Sequence, residues 1–166
     1  MTDVGATEAG VGEANAEVFH RYFPSGTIAP VTLDQVPPPA ATMLNEYSKS
    51  FLGSGHRSGN FDGVFRIDHD KGDVTYLARQ TRRYQEQDEI ISEESVCLSD
   101  TNASGALTGH ADLRKTSMPQ PFGWFTFTEV AYRNQGLGRR RILVMNALSQ
   151  MLWHLPLHSR SSSNEH

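Results

Sequence analysis

The sequence has a single cysteine, Cys97, and no hydrophobic run long enough to span a bilayer. One cysteine excludes a disulfide framework within the chain and a zinc site built from cysteines. The opening residues lack the basic start and the apolar stretch of a secretory signal peptide. Lys and Arg number 15 against 19 Asp and Glu, a formal charge of -4 that suits nucleic-acid binding poorly. We therefore expect a soluble, cytoplasmic protein that binds neither membranes nor nucleic acids.

A chain of 166 residues, 37% of them hydrophobic, predicts one domain built around one modest core. Residues 1–26 are expected to hold a disordered start and a short capping helix, because Phe19 and Phe23 share one helical face. So short a helix must dock on something, either the core itself or the mouth of a cavity, over which it would act as a lid. Residues 27–150 would form the β domain and residues 151–166 a C-terminal tail.

Extended runs separated by turns rich in glycine and asparagine predict an antiparallel meander. The clearest hairpin joins residues 60–68 to residues 74–82 through a glycine-centred turn. The aromatic run at residues 122–130, FGWFTFTEV, alternates between the two faces of a strand. Because a meander must hide its edges, we expect closure into a small, all-β antiparallel barrel of the calycin type, whose interior holds one ligand. Residues 40–52 are ambiguous between helix and strand, and residues 139–148 are compatible with a last strand or with a helix.

Four polar side chains occupy inward positions of such a barrel, and they are the candidate catalytic groups. Tyr76 and Gln80 share one face of their strand, His110 lies on a later strand, and Arg141 lies on the last element. Three of them also have structural interpretations: Tyr76 as a core aromatic with a satisfied polar tip, His110 as part of a surface pair and Arg141 as part of a solvated arginine edge. The seven histidines lack metal-ligand spacing, so we expect no metal site.

Several short motifs follow one another in the middle of the chain, over about residues 50–146. They are a Gly-Asn-Phe and Arg-Ile strand, a Thr-Tyr hairpin partner, a Gly-x-Ala-Asp strand and a Gly-Leu-Gly turn. They stand at Gly59, Asn60, Phe61, Arg66, Ile67, Thr75, Tyr76, Gly109, Ala111, Asp112 and residues 136–138. This layout resembles the β-barrel cyclases of polyketide biosynthesis, which have an allene-oxide-cyclase-like barrel and make spirotetronates and spirotetramates. Two extra residues, Asp62 and Gly63, interrupt the first motif.

The resemblance implies a cofactor-free cyclase that catalyses an intramolecular 4+2 cycloaddition, of Diels–Alder type, on a polyketide-derived polyene in antibiotic biosynthesis. Such a reaction needs no nucleophile, so catalysis would come from holding the folded substrate and donating hydrogen bonds to its carbonyl. Tyr76, Gln80, Arg141 and His110 would provide the polar groups. The substrate-binding wall would be aromatic: Trp124, Phe65, Phe122 and Phe19. The expected partner is a hydrophobic small molecule, and a homodimer is possible.

Two other functions stay open. Residues 132–139, YRNQGLGR, fit the R-x-x-G-x-G loop of the N-acetyltransferase superfamily, where backbone N–H groups between a strand and a helix hold the pyrophosphate of acetyl-CoA. Only 28 residues follow Gly138, fewer than that superfamily uses to complete its cofactor cleft. The third possibility is a lipocalin-like carrier, which shares the cavity but catalyses nothing.

Overall fold

The computed structural model describes residues 15–52, 61–116 and 122–157. In this part of the chain a six-stranded antiparallel sheet is flanked by three helices. The helices are α1 (Ala16–Tyr22), α2 (Pro38–Leu52) and α3 (Leu137–Trp153). The strands are β1 (Thr27–Val31), β2 (Gly63–Asp68), β3 (Val74–Glu86), β4 (Glu89–Thr101), β5 (Leu107–Thr116) and β6 (Phe122–Thr128). The predicted antiparallel meander is thus confirmed.

Local sequence accounts for the turns of the meander. The predicted hairpin forms between β2 and β3, and its turn places Lys71 at φ 65° and Gly72 at φ 84°, a left-handed backbone that glycine adopts without strain. The next hairpin pairs β3 with β4 over the full length of both strands, from Val74 opposite Thr101 to Glu86 opposite Glu89. These long central strands carry most of the buried apolar side chains of the sheet.

The sheet is open, so the predicted barrel closure is wrong. The strands follow one another in the order β1 to β6, which leaves β1 and β6 as the two edges of the described sheet. The prediction assumed that only closure could hide the strands from water. Here helices cover both faces of the sheet instead. The fold is mostly β and not all-β, because the chain also contains two long helices.

The helix α1 is confirmed as an element, and two others resolve what the sequence left ambiguous. The run at 139–148 belongs to α3, which continues to Trp153 and so crosses the boundary predicted at residue 150. The helix α2 starts at Pro38, because proline fixes φ near the helical value and needs no partner for its missing N–H in the first turn. The predicted disordered start and the end of the predicted tail lie outside the described residues.

Each face of the sheet has its own apolar cluster. On the α3 face, the side chains of α1, α3 and the sheet pack together: Phe19, Ile67, Leu77, Leu98, Leu113, Met145 and Leu148 are all fully buried. On the opposite face, the α2 face, the cluster is smaller and includes Leu44, Tyr76, Ala78 and Cys97. Because successive strand residues point to opposite faces, the two clusters alternate along β3 and β4.

A buried arginine joins α3 to the sheet. Arg141, only 1% exposed, donates from Nε to Asp100 Oδ2 at 2.7 Å and from Nη1 to the hydroxyl oxygens of Thr126 and Thr128, both at 3.0 Å. Its guanidinium lies on the backbone of Gly109, where an added Cβ would collide with Nη2 and lie 2.7 Å from the Phe127 carbonyl oxygen. Gly109 has no side chain, and the guanidinium of Arg141 occupies the space that a side chain at this position of β5 would need.

We expect Gly109→Ala to destabilise the fold by about 2 to 4 kcal/mol, because the methyl group displaces a buried charge from its partner. The matched control is Gly123→Ala in the neighbouring strand, where an added Cβ meets no atom within 4 Å. That change should shift stability by no more than about 1 kcal/mol. Urea denaturation of both variants measures the difference, and equal stabilities would contradict the account of Arg141.

Candidate functional site

The structure does not bring the four predicted catalytic groups into one site. Tyr76, Gln80 and His110 face α2, whereas Arg141 is on α3 and packs against the opposite face of the sheet. An open sheet covered on both sides has no common lumen for them. Arg141 is held in a buried network of protein groups, which assigns it a structural role.

Tyr76 and Gln80 are buried on the α2 face of the sheet, where they make packing and hydrogen-bond contacts. The amide nitrogen of Gln80 donates to the Ser48 hydroxyl of α2 at 2.7 Å, and both residues of this pair are buried. Tyr76 is 5% exposed and has the guanidinium of Arg66 5.7 Å from its ring centre. Tyr76 therefore fits the structural interpretation given to it from the sequence, and Gln80 makes a buried contact with α2.

The predicted aromatic wall is divided in the same way. Phe19 is fully buried in the cluster of the α3 face, and Phe65 and Trp124 pack partly buried against it. The side chain of Phe122 lies outside the described residues. Phe19, Phe65 and Trp124 pack between the sheet, α1 and α3. In this position they do not form the wall of a common pocket.

His110 is different, because its polar edge reaches the rim of the α2 face. Six side chains form what we call the His110 cluster: Tyr47, His110, Phe125, Phe127, Glu129 and Arg133. The Tyr47 hydroxyl lies 2.6 Å from His110 Nδ1, and the other ring nitrogen, Nε2, lies 3.9 Å from Glu129 Oε2. The His110 side chain is 14% exposed and that of Glu129 37%, so small molecules can approach from the Glu129 side.

Aromatic rings surround the imidazole. Phe127 stacks on it with ring centres 5.1 Å apart and an angle of 29° between the planes. Tyr47 meets it edge-on at 5.6 Å, and Phe125 lies at 6.4 Å. The Arg133 guanidinium lies 5.2 Å from the centre of the Phe127 ring. The imidazole is therefore packed among aromatic rings, with two charged side chains, Glu129 and Arg133, beside them; aromatic rings around a few polar groups are typical of small-molecule sites.

Three elements place these groups together. Tyr47 lies one turn after the buried Leu44 on α2, so it too is directed at the sheet. His110 and Phe127 are direct cross-strand partners in the β5–β6 ladder, which brings their side chains onto the same face. The ladder continues one step beyond β6, since the Glu129 N–H donates to the Thr108 carbonyl at 2.9 Å. That bond fixes where Glu129 leaves the sheet.

The electrostatics keep both hydrogen-bonded groups uncharged. Burial, reinforced by Asp112, raises the pKa of Tyr47 well above its usual value, so its hydroxyl keeps its proton. Burial, with a smaller contribution from the positive charge of Arg141, lowers the pKa of His110 to about 4. The Glu129 carboxylate near Nε2 can only accept, which favours the neutral tautomer with its proton on Nε2, so that Nδ1 accepts from the Tyr47 hydroxyl. The N–H of His110 is therefore directed toward Glu129.

The loop after β6 has the context predicted for the acetyltransferase-like motif, a strand before it and a helix after it. Gly136 takes a left-handed backbone at φ 81°, and α3 begins at the next residue. Arg133, the first residue of the motif, donates from Nε to the Thr128 carbonyl at 2.9 Å. Arg140 forms an ion pair with Asp73 at 3.0 Å. Arg139 is exposed beside the first turn of α3.

A shallow groove of about 410 Å³ lies beside α1, lined by Phe19, His20, Gly26 and Ile28 among others. Phe19 of this helix and Phe23, the residue after it, are buried in the core, so α1 covers part of the α3 face. That observation favours the docking interpretation of this helix over the lid.

Sequence reasoning found His110 but missed its neighbours. Tyr47 lies in a segment that could not be assigned to helix or strand, and Glu129 carries no motif. Phe127 was visible in the alternating aromatic strand, and Arg133 in the glycine-rich motif, but nothing in the sequence joins them to His110. The contact between Tyr47 and His110 spans 63 residues.

Comparisons with known proteins add no relative: no family model matches the chain, and no curated protein or solved structure matches it significantly. In the described ranges, no three His, Cys, Asp or Glu side chains are grouped as a metal site would need. None of the helices in these ranges has the length and apolar character of a membrane span.

We predict that acidification destabilises the protein through two histidines. Burial lowers the pKa of both His69 and His110 to about 4, whereas an unfolded chain binds these protons near pH 6.5. Their contribution to the free energy of unfolding is complete above about pH 6.5 and is lost as the pH falls toward 4.

Tyr47→Phe removes a donor to the neutral imidazole, so the pKa of His110 should rise while that of His69 stays unchanged. An NMR titration measures both; equal shifts, or a wild-type His110 titrating near pH 6.5, would contradict this.

Proposed function

We propose that the protein binds a small, planar and largely apolar molecule at the His110 cluster, with one polar group of that molecule placed at His110 Nε2. The observation that carries the proposal is the imidazole of His110, bonded to Tyr47 through Nδ1, with Nε2 3.9 Å from a partly exposed carboxylate and aromatic rings around it. His110 is only partly buried, so a ring nitrogen without a protein partner is satisfied by water and is available to a ligand. Here one nitrogen is satisfied, and the other lies 3.9 Å from its nearest charged neighbour.

The chemistry of this site is hydrogen-bond donation. With its pKa near 4, His110 is a weak base at neutral pH and does not take up a proton readily. Its Nε2–H can still donate to a ligand, and the tyrosine keeps that donor aimed in one direction. An enzyme using this site would act by positioning its substrate and stabilising developing charge, and a carrier would use the same contacts without turnover.

The cyclase hypothesis requires more than this site provides. It depends on an enclosed lumen in which a polyene folds on itself, whereas the sheet is open and its two faces are covered by helices. Tyr76 and Gln80, two of its proposed donors, are buried under α2. Of the predicted donors, His110 is the one at the partly exposed edge of the α2 face. A cycloaddition therefore remains a prediction, and the reaction would have to take place at the His110 cluster.

A panel of naphthalenes with one polar substituent each tests the binding proposal. The probes are 2-naphthol, 2-methoxynaphthalene and 2-acetylnaphthalene, and binding is followed by chemical-shift changes in ¹⁵N-labelled protein. We expect changes centred on Tyr47, His110 and Phe127 for at least one probe. His110→Ala should abolish them, and His20→Ala, an exposed histidine on α1, should leave them unchanged. Changes confined to the groove beside α1, or no binding by any probe, would overturn the proposal.

A second candidate is favoured by the strand, turn and helix around residues 133–138. The first N–H groups of α3 have no partner within the helix and, with Arg139 exposed beside them, suit a phosphate group. Acetyl-CoA supplies the test, by isothermal titration calorimetry. The candidate predicts binding that Arg139→Ala weakens at least about threefold and that Arg83→Ala, an exposed arginine on β3, leaves intact. Absence of binding, or equal losses in both variants, would remove it.

A further inference from the structure

The polar group that the His110 cluster recognises can be specified, on the premise that the proposed function is correct. We propose that the space between His110 Nε2 and Glu129 Oε2 selects a hydroxyl group, and that the ligand is an aromatic alcohol of the phenol type. The two atoms are 3.9 Å apart, too far for a direct hydrogen bond. They are close enough for one small group to bond to both.

The geometry fits a single oxygen atom that accepts and donates. A hydroxyl oxygen at about 2.9 Å from the nitrogen and about 2.7 Å from the carboxylate oxygen makes an angle of about 90° between the two bonds. That angle is about 20° narrower than the tetrahedral angle between a hydroxyl lone pair and its O–H bond, a deviation that hydrogen bonds tolerate. The hydroxyl would accept from Nε2–H and donate to the Glu129 carboxylate, so both protein groups would be satisfied.

Other common polar groups satisfy only one side. A carbonyl or ether oxygen accepts from His110 but brings a second negative dipole up to the Glu129 carboxylate. An ammonium group donates to Glu129 but meets the Nε2 proton of His110. The site therefore selects against these groups as well as for a hydroxyl, since each of them leaves either His110 or Glu129 without a hydrogen bond to the ligand.

The apolar surroundings favour an aromatic carrier for that hydroxyl. Phe125 and Phe127 lie beside the imidazole, with ring centres 6.4 and 5.1 Å from it, so a ligand whose hydroxyl reaches Nε2 is expected to meet aromatic carbon. A phenolic hydroxyl is also a stronger donor than an aliphatic one, because its O–H bond is more acidic. The acidic neighbour therefore suits a phenol better than a sugar or a simple alcohol.

The experiment compares 2-naphthol with 2-methoxynaphthalene and 2-acetylnaphthalene on the wild-type protein. We expect 2-naphthol to bind at least about tenfold more tightly than either, because only it bonds to both His110 and Glu129. Glu129→Ala should reduce that preference to about twofold or less, since the ether and the ketone lose nothing with the carboxylate. Glu17→Ala, an exposed glutamate on α1, is the control and should keep the full preference.

The outcomes separate this inference from the proposed function. If the three probes bind at the His110 cluster with similar affinities, the hydroxyl selection is wrong and the binding site stands. If the preference exists but survives Glu129→Ala, the selection does not come from the proposed gap and the inference is also wrong. If no probe binds, the proposed function fails, and the inference fails with it.

Discussion

The ion pair between Arg141 and Asp100 is the interaction on which the arrangement of the site depends. It joins α3 to β4, and the same guanidinium binds two threonine hydroxyls of β6. Because β6 and α3 are both held by this group, the loop between them is fixed at its two ends. That loop carries Glu129 and Arg133 to the rim beside His110. Buried ion pairs contribute little net stability, so we attribute to this one a role in geometry.

The sequence predicted the parts of the fold that depend on neighbouring residues. The turn at Lys71 and Gly72, the alternation of the aromatic strand and the short helix at Phe19 all follow from local patterns, and all are present. The two long helices were left unassigned because residues 40–52 and 139–148 have apolar positions compatible with two periodicities. Without those helices, closure was the only visible way to bury both faces of a meander, and the barrel followed from that omission.

The site was less predictable, for a physical reason. Polar residues on one face of a strand can be recognised in a sequence, and His110 was found in this way. Whether such a residue is structural or functional depends on what covers it. Helix α2 covers Gln80, α3 itself carries Arg141 into the sheet, and neither helix had been assigned. Tyr47 and Glu129 complete the site through contacts that only tertiary packing creates.

The account depends on His110 being neutral, with its proton on the nitrogen that faces Glu129. A two-bond ¹H–¹⁵N correlation spectrum of the imidazole near neutral pH measures this directly. The hydrogen bond from Tyr47 predicts a protonated Nε2 and an unprotonated Nδ1. A proton on Nδ1 alone, or a positively charged ring at that pH, would contradict the account.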